Sequence, residues 1–140
     1  MDGGTGDDWL DGSAGKDNLI GGSSDDVLIG GAGVDKLTCG AGIDQIVLNR
    51  LNAGGDIVTD FNVAEDLLNF SKLFSRLNID SSAIGKTTQL GDYLKFEQLG
   101  ANTVVKLDAD GSGVNTSLTT LMTLQNVQSS SITAKNLVLV

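Results

Sequence analysis

Five aspartates recur at nine-residue intervals: Asp8, Asp17, Asp26, Asp35 and Asp44. Two residues after each stands an aliphatic: Leu10, Leu19, Leu28, Leu37 and Ile46. Before each runs a glycine-rich stretch. Gly3 to Val47 therefore reads as consecutive nonapeptides in one frame: GGTGDDWLD, GSAGKDNLI, GGSSDDVLI, GGAGVDKLT and CGAGIDQIV. Glycine tolerates positive φ and leaves its carbonyl unscreened. Carboxylates among bare carbonyls form an all-oxygen donor set, the chemistry of a hard cation. Calcium accepts roughly six to eight oxygens in loose geometry, whereas magnesium holds to a tight octahedron and sheds water reluctantly. The donor set favours calcium.

Such donors need a scaffold that repeats with them. The first six residues of each nonapeptide suit a turn. The last three suit a strand, with the aliphatic pointing inward and its neighbours outward. Two nonapeptides then make one coil, with a turn on each side. Repeats one, three and five stack on one edge, and repeats two and four on the other. Stacked coils lie ~4.8 Å apart, as neighbouring strands do. Two turns at that spacing can enclose one cation between carbonyls and two aspartates.

Charge agrees with this. Residues 1–47 hold nine aspartates, no glutamate and two lysines, a net charge of −7. The remaining residues hold nine acids and seven bases, a net charge of −2. One buried aliphatic per nonapeptide does not offset the entropy of ordering its backbone, and the aspartates repel one another. The repeats are expected to be disordered without metal and to fold with it. A flexible Gly/Asp-rich linker is the plain alternative, but a linker has no reason to keep a nine-residue frame. The acidity also disfavours nucleic acid.

The nonapeptide resembles the calcium-binding β-roll repeat of repeats-in-toxin (RTX) proteins. That resemblance implies the ligand sets. In one turn, carbonyls at positions two and four join the aspartate at position six. In the turn two repeats on, carbonyls at positions one and three join that repeat's own aspartate. One site is then Gly4, Gly6 and Asp8 with Gly21, Ser23 and Asp26. A second is Ser13, Gly15 and Asp17 with Gly30, Ala32 and Asp35. A third is Gly22, Ser24 and Asp26 with Cys39, Ala41 and Asp44. Ser13, Ser24 and Cys39 depart from the pattern but still offer carbonyls. Ser24 is the riskiest, because it gives up a glycine's backbone freedom. Cys39, the only cysteine, is a reactive thiol or crosslink in one reading; in the preferred one it is a small residue in a glycine slot.

The frame is lost between Leu48 and Gly55. The next stretch, DIVTDFNVAEDLLNFSKLF from Asp56 to Phe74, resembles the end of RTX rolls in serralysin-type proteases and large type I-secreted adhesins. Asp56, Asp60, Phe61, Asp66 and Ser71 carry the match. The resemblance implies that Asp56 and Asp66 ligate the last calcium ions, about two of them, although both also fit ordinary solvated acids. They would complete the half-sites Gly31, Gly33, Asp35 and Gly40, Gly42, Asp44. Asp60 reads as a turn or capping residue.

Further on, the spacing of apolar residues predicts a short helix over 67–77. Residues 80–91 read as loop, 93–98, 102–107 and 116–124 as strands, 131–136 as a helical turn, and 137–140 as an apolar end. The DADGSG turn from Asp108 reads as a hairpin turn rather than an EF-hand, because it lacks the terminal glutamate. The expected fold is all-β with minor helix: a right-handed parallel β-roll followed by a small β-rich C-terminal cap. The expected domains are 1–47, the roll, and 48–140, the cap.

The resemblance extends loosely to the C-terminal targeting regions of type I-secreted RTX proteins. It implies an uncleaved export signal near the C-terminus. Implied partners are an ABC transporter, a membrane fusion protein and an outer-membrane channel, and the destination is extracellular or cell-surface. The parent would be an adhesin, a toxin or a protease, with more repeats expected upstream. The fragment is expected to be a monomer without stable membrane insertion. There is no histidine, and no nucleophile–base pair announces itself, so no enzyme is expected. A carbohydrate-binding accessory module is the alternative, for which Trp9 and Tyr93 are the candidate aromatics. Ice binding is set aside, since the outward positions hold no threonine array.

Overall fold

Each nonapeptide contributes a strand from its last residues. The computed structural model, which describes residues 1–51, 55–80, 90–111 and 118–140, stacks those strands in two sheets. In chain order the roll contains β1 (Asp2–Thr5), β2 (Trp9–Asp11), β3 (Asn18–Ser23), β4 (Val27–Ile29), β5 (Lys36–Ala41) and β6 (Gln45–Val47). These pair in parallel, β1–β3–β5 in one sheet and β2–β4–β6 in the other. Odd repeats thus stack on odd, and even on even, as a two-nonapeptide coil requires.

The aliphatic at position eight fixes the register. Leu10 pairs with Leu28, and Leu28 with Ile46. On the facing sheet Leu19 pairs with Leu37. All five are buried. A slip of one residue would turn every one of them outward, so the alternation specifies the pairing.

The nonapeptide frame stops at Val47, but the coil continues. Strands β7 (Asp56–Val58) and β8 (Leu67–Asn69) lie parallel on β5 and β6. Val58 pairs with Leu37 and Leu68 with Ile46, extending both aliphatic columns. The reason is local. Asp56-Ile57-Val58 and Asp66-Leu67-Leu68 keep the order aspartate, any residue, aliphatic; Gly54 and Gly55 still precede the first, whereas no glycine stands between Asp56 and Asp66. The stacking therefore runs through Asn69 rather than ending near residue 47. The helix expected over 67–77 divides accordingly. Residues 67–69 join the sheet, and only α1 (Ser71–Arg76) is helical. A free ladder on β6 overrides the helical spacing.

The C-terminal residues extend both sheets further. After α2 (Leu90–Tyr93) come β9 (Leu94–Leu99), β10 (Asn102–Asp108) and β11 (Leu118–Leu124), an antiparallel set whose last member lies parallel on β7. Single turns of 3-10 helix at Ser129–Ser131 and Ala134–Asn136 lead into β12 (Leu137–Val138), which lies on β8. Leu124 thereby meets Val58, and Leu137 meets Leu68. Phe70, Leu73, Phe74, Val105, Leu107, Leu121 and Met122 fill the core beyond the last coil. The expected strands and helical turn lie close to these elements; most of the expected loop at 80–91 lies outside the described residues. Val47, an expected outward position, is buried where the chain leaving repeat five passes Gly31 and Asp56.

Candidate metal centre

The position-six aspartates form one column along each edge. On the odd-repeat edge, Asp26 Oδ1 accepts the Asp8 N–H at 2.8 Å and Asp44 Oδ1 accepts the Asp26 N–H at 2.9 Å. On the even-repeat edge, Asp35 Oδ1 accepts the Asp17 N–H at 2.8 Å. The carboxylates of Asp26, Asp35 and Asp44 are thus each held by a backbone donor one coil away, and their second oxygens are left over. Oδ2 of Asp8, Asp17, Asp26, Asp35 and Asp44 is buried without a hydrogen-bond partner. Asp26, Asp35 and Asp44 are at most 1 % exposed, and among the described residues no lysine or arginine pairs with the five. A buried carboxylate without a partner is costly unless a cation compensates it.

The glycines show where those oxygens aim. A Cβ built on Gly3 would lie 2.6 Å from the Gly21 carbonyl oxygen and 2.7 Å from Asp8 Oδ2. One built on Gly12 would lie 2.6 Å from the Gly30 carbonyl oxygen and 3.0 Å from Asp17 Oδ2. At Gly30 the neighbours are Asp35 Oδ2 at 2.6 Å and Asp56 Oδ2 at 3.0 Å. At every one of these positions the spare carboxylate oxygen shares its space with a second oxygen from the adjacent coil. A side chain there would fill the space.

The structure brings the expected sets together turn on turn. The position-three carbonyls of Ser23, Ala32 and Ala41 accept the N–H groups of Gly6, Gly15 and Ser24 at 3.1, 2.8 and 2.8 Å. Each keeps a further lone pair. Gly22, Gly31 and Gly40 sit directly on the position-two carbonyls of Gly4, Ser13 and Gly22. Gly33 and Gly42 sit likewise on the carbonyls of Gly15 and Ser24. The two serines hold the conformation of the glycines they replace, with φ of 68° at Ser13 and 88° at Ser24. Ser13 is helped by Asp11, whose Oδ1 accepts its N–H at 2.8 Å.

Beyond the repeats the columns go on. Asp56 Oδ1 accepts the Asp35 N–H at 3.0 Å, and Asp66 Oδ1 accepts the Asp44 N–H at 3.1 Å. The structure thus places Asp56 and Asp66 at position six of the next coil. Both are buried. Asp66 Oδ2 also accepts the Asn62 N–H at 2.7 Å. Asp60 does the capping expected of it, accepting the N–H groups of Cys39 and Gly40 at 2.7 and 3.0 Å.

Crowding of like charge is visible in the electrostatics. Burial, reinforced by the charges of Asp66, Asp26 and Asp60, raises the Asp44 carboxyl from 3.8 to about 6, although the Asp26 N–H opposes it. Burial raises Asp66 too, against the N–H groups of Asn62 and Asp44. The Cys39 thiol is buried in the core and is pushed far above its ordinary range by burial and then by Asp66, Asp60, Asp44 and Asp26. Like charge is thus concentrated at these turns, with no basic side chain among the described residues to offset it.

Some features were not anticipated. Asp7 and Asp25, at position five, form an outer column on the odd-repeat edge. Asp7 Oδ1 accepts the Asp25 N–H at 3.2 Å, and Asp25 Oδ1 accepts the Ile43 N–H at 2.8 Å. The signal was legible: position five is aspartate in repeats one and three, which share an edge. At the start of the DADGSG turn, Asp108 Oδ1 accepts the Asp110 N–H at 3.3 Å and Gly111 takes φ of 60°. The rest of that loop lies outside the described residues.

The all-oxygen donors, spare buried oxygens and glycine spacing fit calcium. The family pattern described as the RTX calcium-binding nonapeptide repeat, in four copies, matches residues 2–37 and 11–46. The solution structure of the AlgE6R3 subunit from the Azotobacter vinelandii mannuronan C5-epimerase is similar, with 26 % identity and a TM-score of 0.51. That likeness covers 94 % of this chain and 77 % of the other. No curated protein matches the chain. The chain therefore carries a module of RTX calcium-binding nonapeptide repeats, folded as a β-roll.

Proposed function

We propose that this module folds when calcium binds and serves as the C-terminal export and folding unit of a larger bacterial extracellular protein. One observation carries the calcium-triggered step: in each of the five repeats the position-six aspartate has a buried Oδ2 with no hydrogen-bond partner. Without a cation, the column is a stack of like charges in an interior of low dielectric. With calcium, the carbonyls and aspartates of adjacent turns hold the ion, which supplies the positive charge that the roll lacks. Where calcium is scarce, as in the cytosol, the repeats stay extended and can thread a type I exporter. Outside, calcium exceeds the ~10⁻⁴–10⁻³ M affinities of extracellular modules, and binding drives folding. The stacking of β11 on β7 and of β12 on β8 supports a C-terminal surface on which the last coil nucleates. The parent protein is an adhesin or a toxin in this reading, and the module itself is not catalytic.

Circular dichroism with added calcium, and separately with magnesium, tests the folding step. Calcium is expected to produce cooperative β-structure at millimolar or lower concentration, and magnesium to produce little. A β-rich spectrum in excess chelator would overturn it. Export is tested separately: a cargo fused ahead of residues 48–140 should leave the cell through a type I machine, and removal of residues 137–140 should retain it inside.

A second reading is a carbohydrate-binding accessory module. The exposed Trp9 ring carries the Lys72 ammonium 5.7 Å from its centroid, beside a shallow pocket of ≈ 300 Å³ lined by Ser71, Lys72, Ser75 and Arg76. The similar AlgE6R3 subunit belongs to a mannuronan epimerase. Calorimetry with mannuronan and calcium decides this reading: it requires heat of binding that Trp9→Ala abolishes.

A further inference from the structure

Where four of the repeats have glycine at position one, the fifth has Cys39. In the turn below, a Cβ built on Gly21 would stand 2.6 Å from Asp26 Oδ2. Cys39 has that Cβ, and its thiol is buried beside Asp44. The sulfur and one oxygen each of Asp44 and Asp66 lie within 4.8 Å of one another, and all three residues are buried. Asp44 is 0 % exposed, and its Oδ2 is one of the oxygens without a partner. Asp66 is fixed by the N–H groups of Asp44 and Asn62.

We propose that Cys39, Asp44 and Asp66 form a thiolate–dicarboxylate site at the last turn, selective for a borderline or soft divalent cation such as Zn²⁺ or Cd²⁺, which takes the place there of the calcium ion that Asp44 and Asp66 would otherwise share. The inference rests on the calcium reading, because the roll must be folded for the three residues to meet. Calcium takes oxygen ligands, and thiolate sulfur suits zinc and softer ions. One sulfur and two carboxylate oxygens supply three of the four ligands of a tetrahedral zinc site, and water or a carbonyl supplies the fourth. On binding, the metal–sulfur bond forms as the thiol releases its proton to solvent. The thiolate and two carboxylates bring three negative charges, which a divalent cation largely offsets. The roll thus joins two chemistries: hard-cation turns along its length, and one sulfur-containing turn where it meets the C-terminal strands.

Cadmium added to the full chain in saturating calcium provides the test. Circular dichroism reports the fold, and ultraviolet sulfur-to-cadmium absorption reports the site. The expected result is one equivalent of cadmium giving that absorption in the wild type and none in Cys39→Ser. Asp66→Asn should weaken cadmium binding by about tenfold or more, a loss that even an outer-shell partner can cause. A calcium-folded roll without the absorption overturns the thiolate site alone, and so does unchanged cadmium affinity in Asp66→Asn. A chain that calcium does not fold overturns the calcium reading and this one with it. Should Cys39→Ser itself fail to fold, the wild-type titration and Asp66→Asn still decide the matter.

Discussion

Asp66 Oδ1 accepts the N–H of Asp44, as Asp44 Oδ1 accepts the N–H of Asp26. Sequence spacing breaks between these residues, twenty-two apart rather than eighteen, but the bond is repeated. The aspartate column is therefore one continuous device from Asp8 to Asp66. Asp66→Ala should remove its last member and leave the Asp44 N–H without its acceptor. The expected outcome is a loss of calcium stoichiometry and a higher calcium midpoint, measured by calorimetry and circular dichroism. Unchanged stoichiometry and midpoint would show that Asp66 only decorates the turn.

The same turn is tied to the C-terminal residues. Asn136, nearly fully buried, donates from Nδ2 to the carbonyls of Val63 at 2.9 Å and Asp66 at 3.0 Å. Asn136→Ala leaves two carbonyls short of a donor, a loss of about 1–3 kcal/mol. Chemical denaturation in saturating calcium should show it as a lower midpoint. The mutant should also need more calcium to fold, if the C-terminal surface seeds the roll.

Gly33 sits on the Gly15 carbonyl with φ of 137°, so a methyl group there has no room and the wrong backbone. Gly33→Ala should abolish cooperative folding of the repeats at any calcium concentration that folds the wild type. Ser24 is the converse case. It holds φ of 88° in a glycine slot, a conformation that costs an L-residue about 1–2 kcal/mol. Ser24→Gly should raise calcium-bound stability by about 1 kcal/mol or somewhat less, since glycine also gains freedom in the unfolded chain. Thermal melts in calcium measure both variants.

Acidity should compete with calcium. The Asp44 carboxyl is raised from 3.8 to about 6 in the ion-free fold, chiefly by burial. A raised acid binds protons more tightly folded than unfolded, so ion-free stability falls as pH rises from about 4 to about 6 and stays low above that. Calcium displaces that proton, so its binding weakens as pH falls through about 6. Calcium titrations at about pH 5 and pH 7.5 should show a higher midpoint and proton release at the lower pH. Equal midpoints would place the proton elsewhere.

The repeats were legible because one short period specifies both the turn and the buried residue. Asp8 to Asp44 and Leu10 to Ile46 announce the coil, its edges and its register without any long-range information. The continuation through Asp56 and Asp66 was legible only as chemistry. Its aspartate and aliphatic survive, but no glycine marks the turn between Asp56 and Asp66, and the leucines at 67 and 68 carry a helical spacing that the β6 edge overrides. Asn136 could not have been found by spacing, because its partners are seventy and seventy-three residues away. The thiol of Cys39 reads as filler in a glycine slot; its own turn brings it to Asp44, and only the stacking of coils brings both to Asp66.

The most direct measurement is residue-resolved amide hydrogen exchange on the full chain, in calcium and again in excess chelator. The amides of Asp8, Asp17, Asp26, Asp35 and Asp44 each donate to an aspartate one coil away. The account predicts strong protection of these five in calcium and exchange at unfolded rates in chelator. Protection that persists after calcium is removed would contradict it.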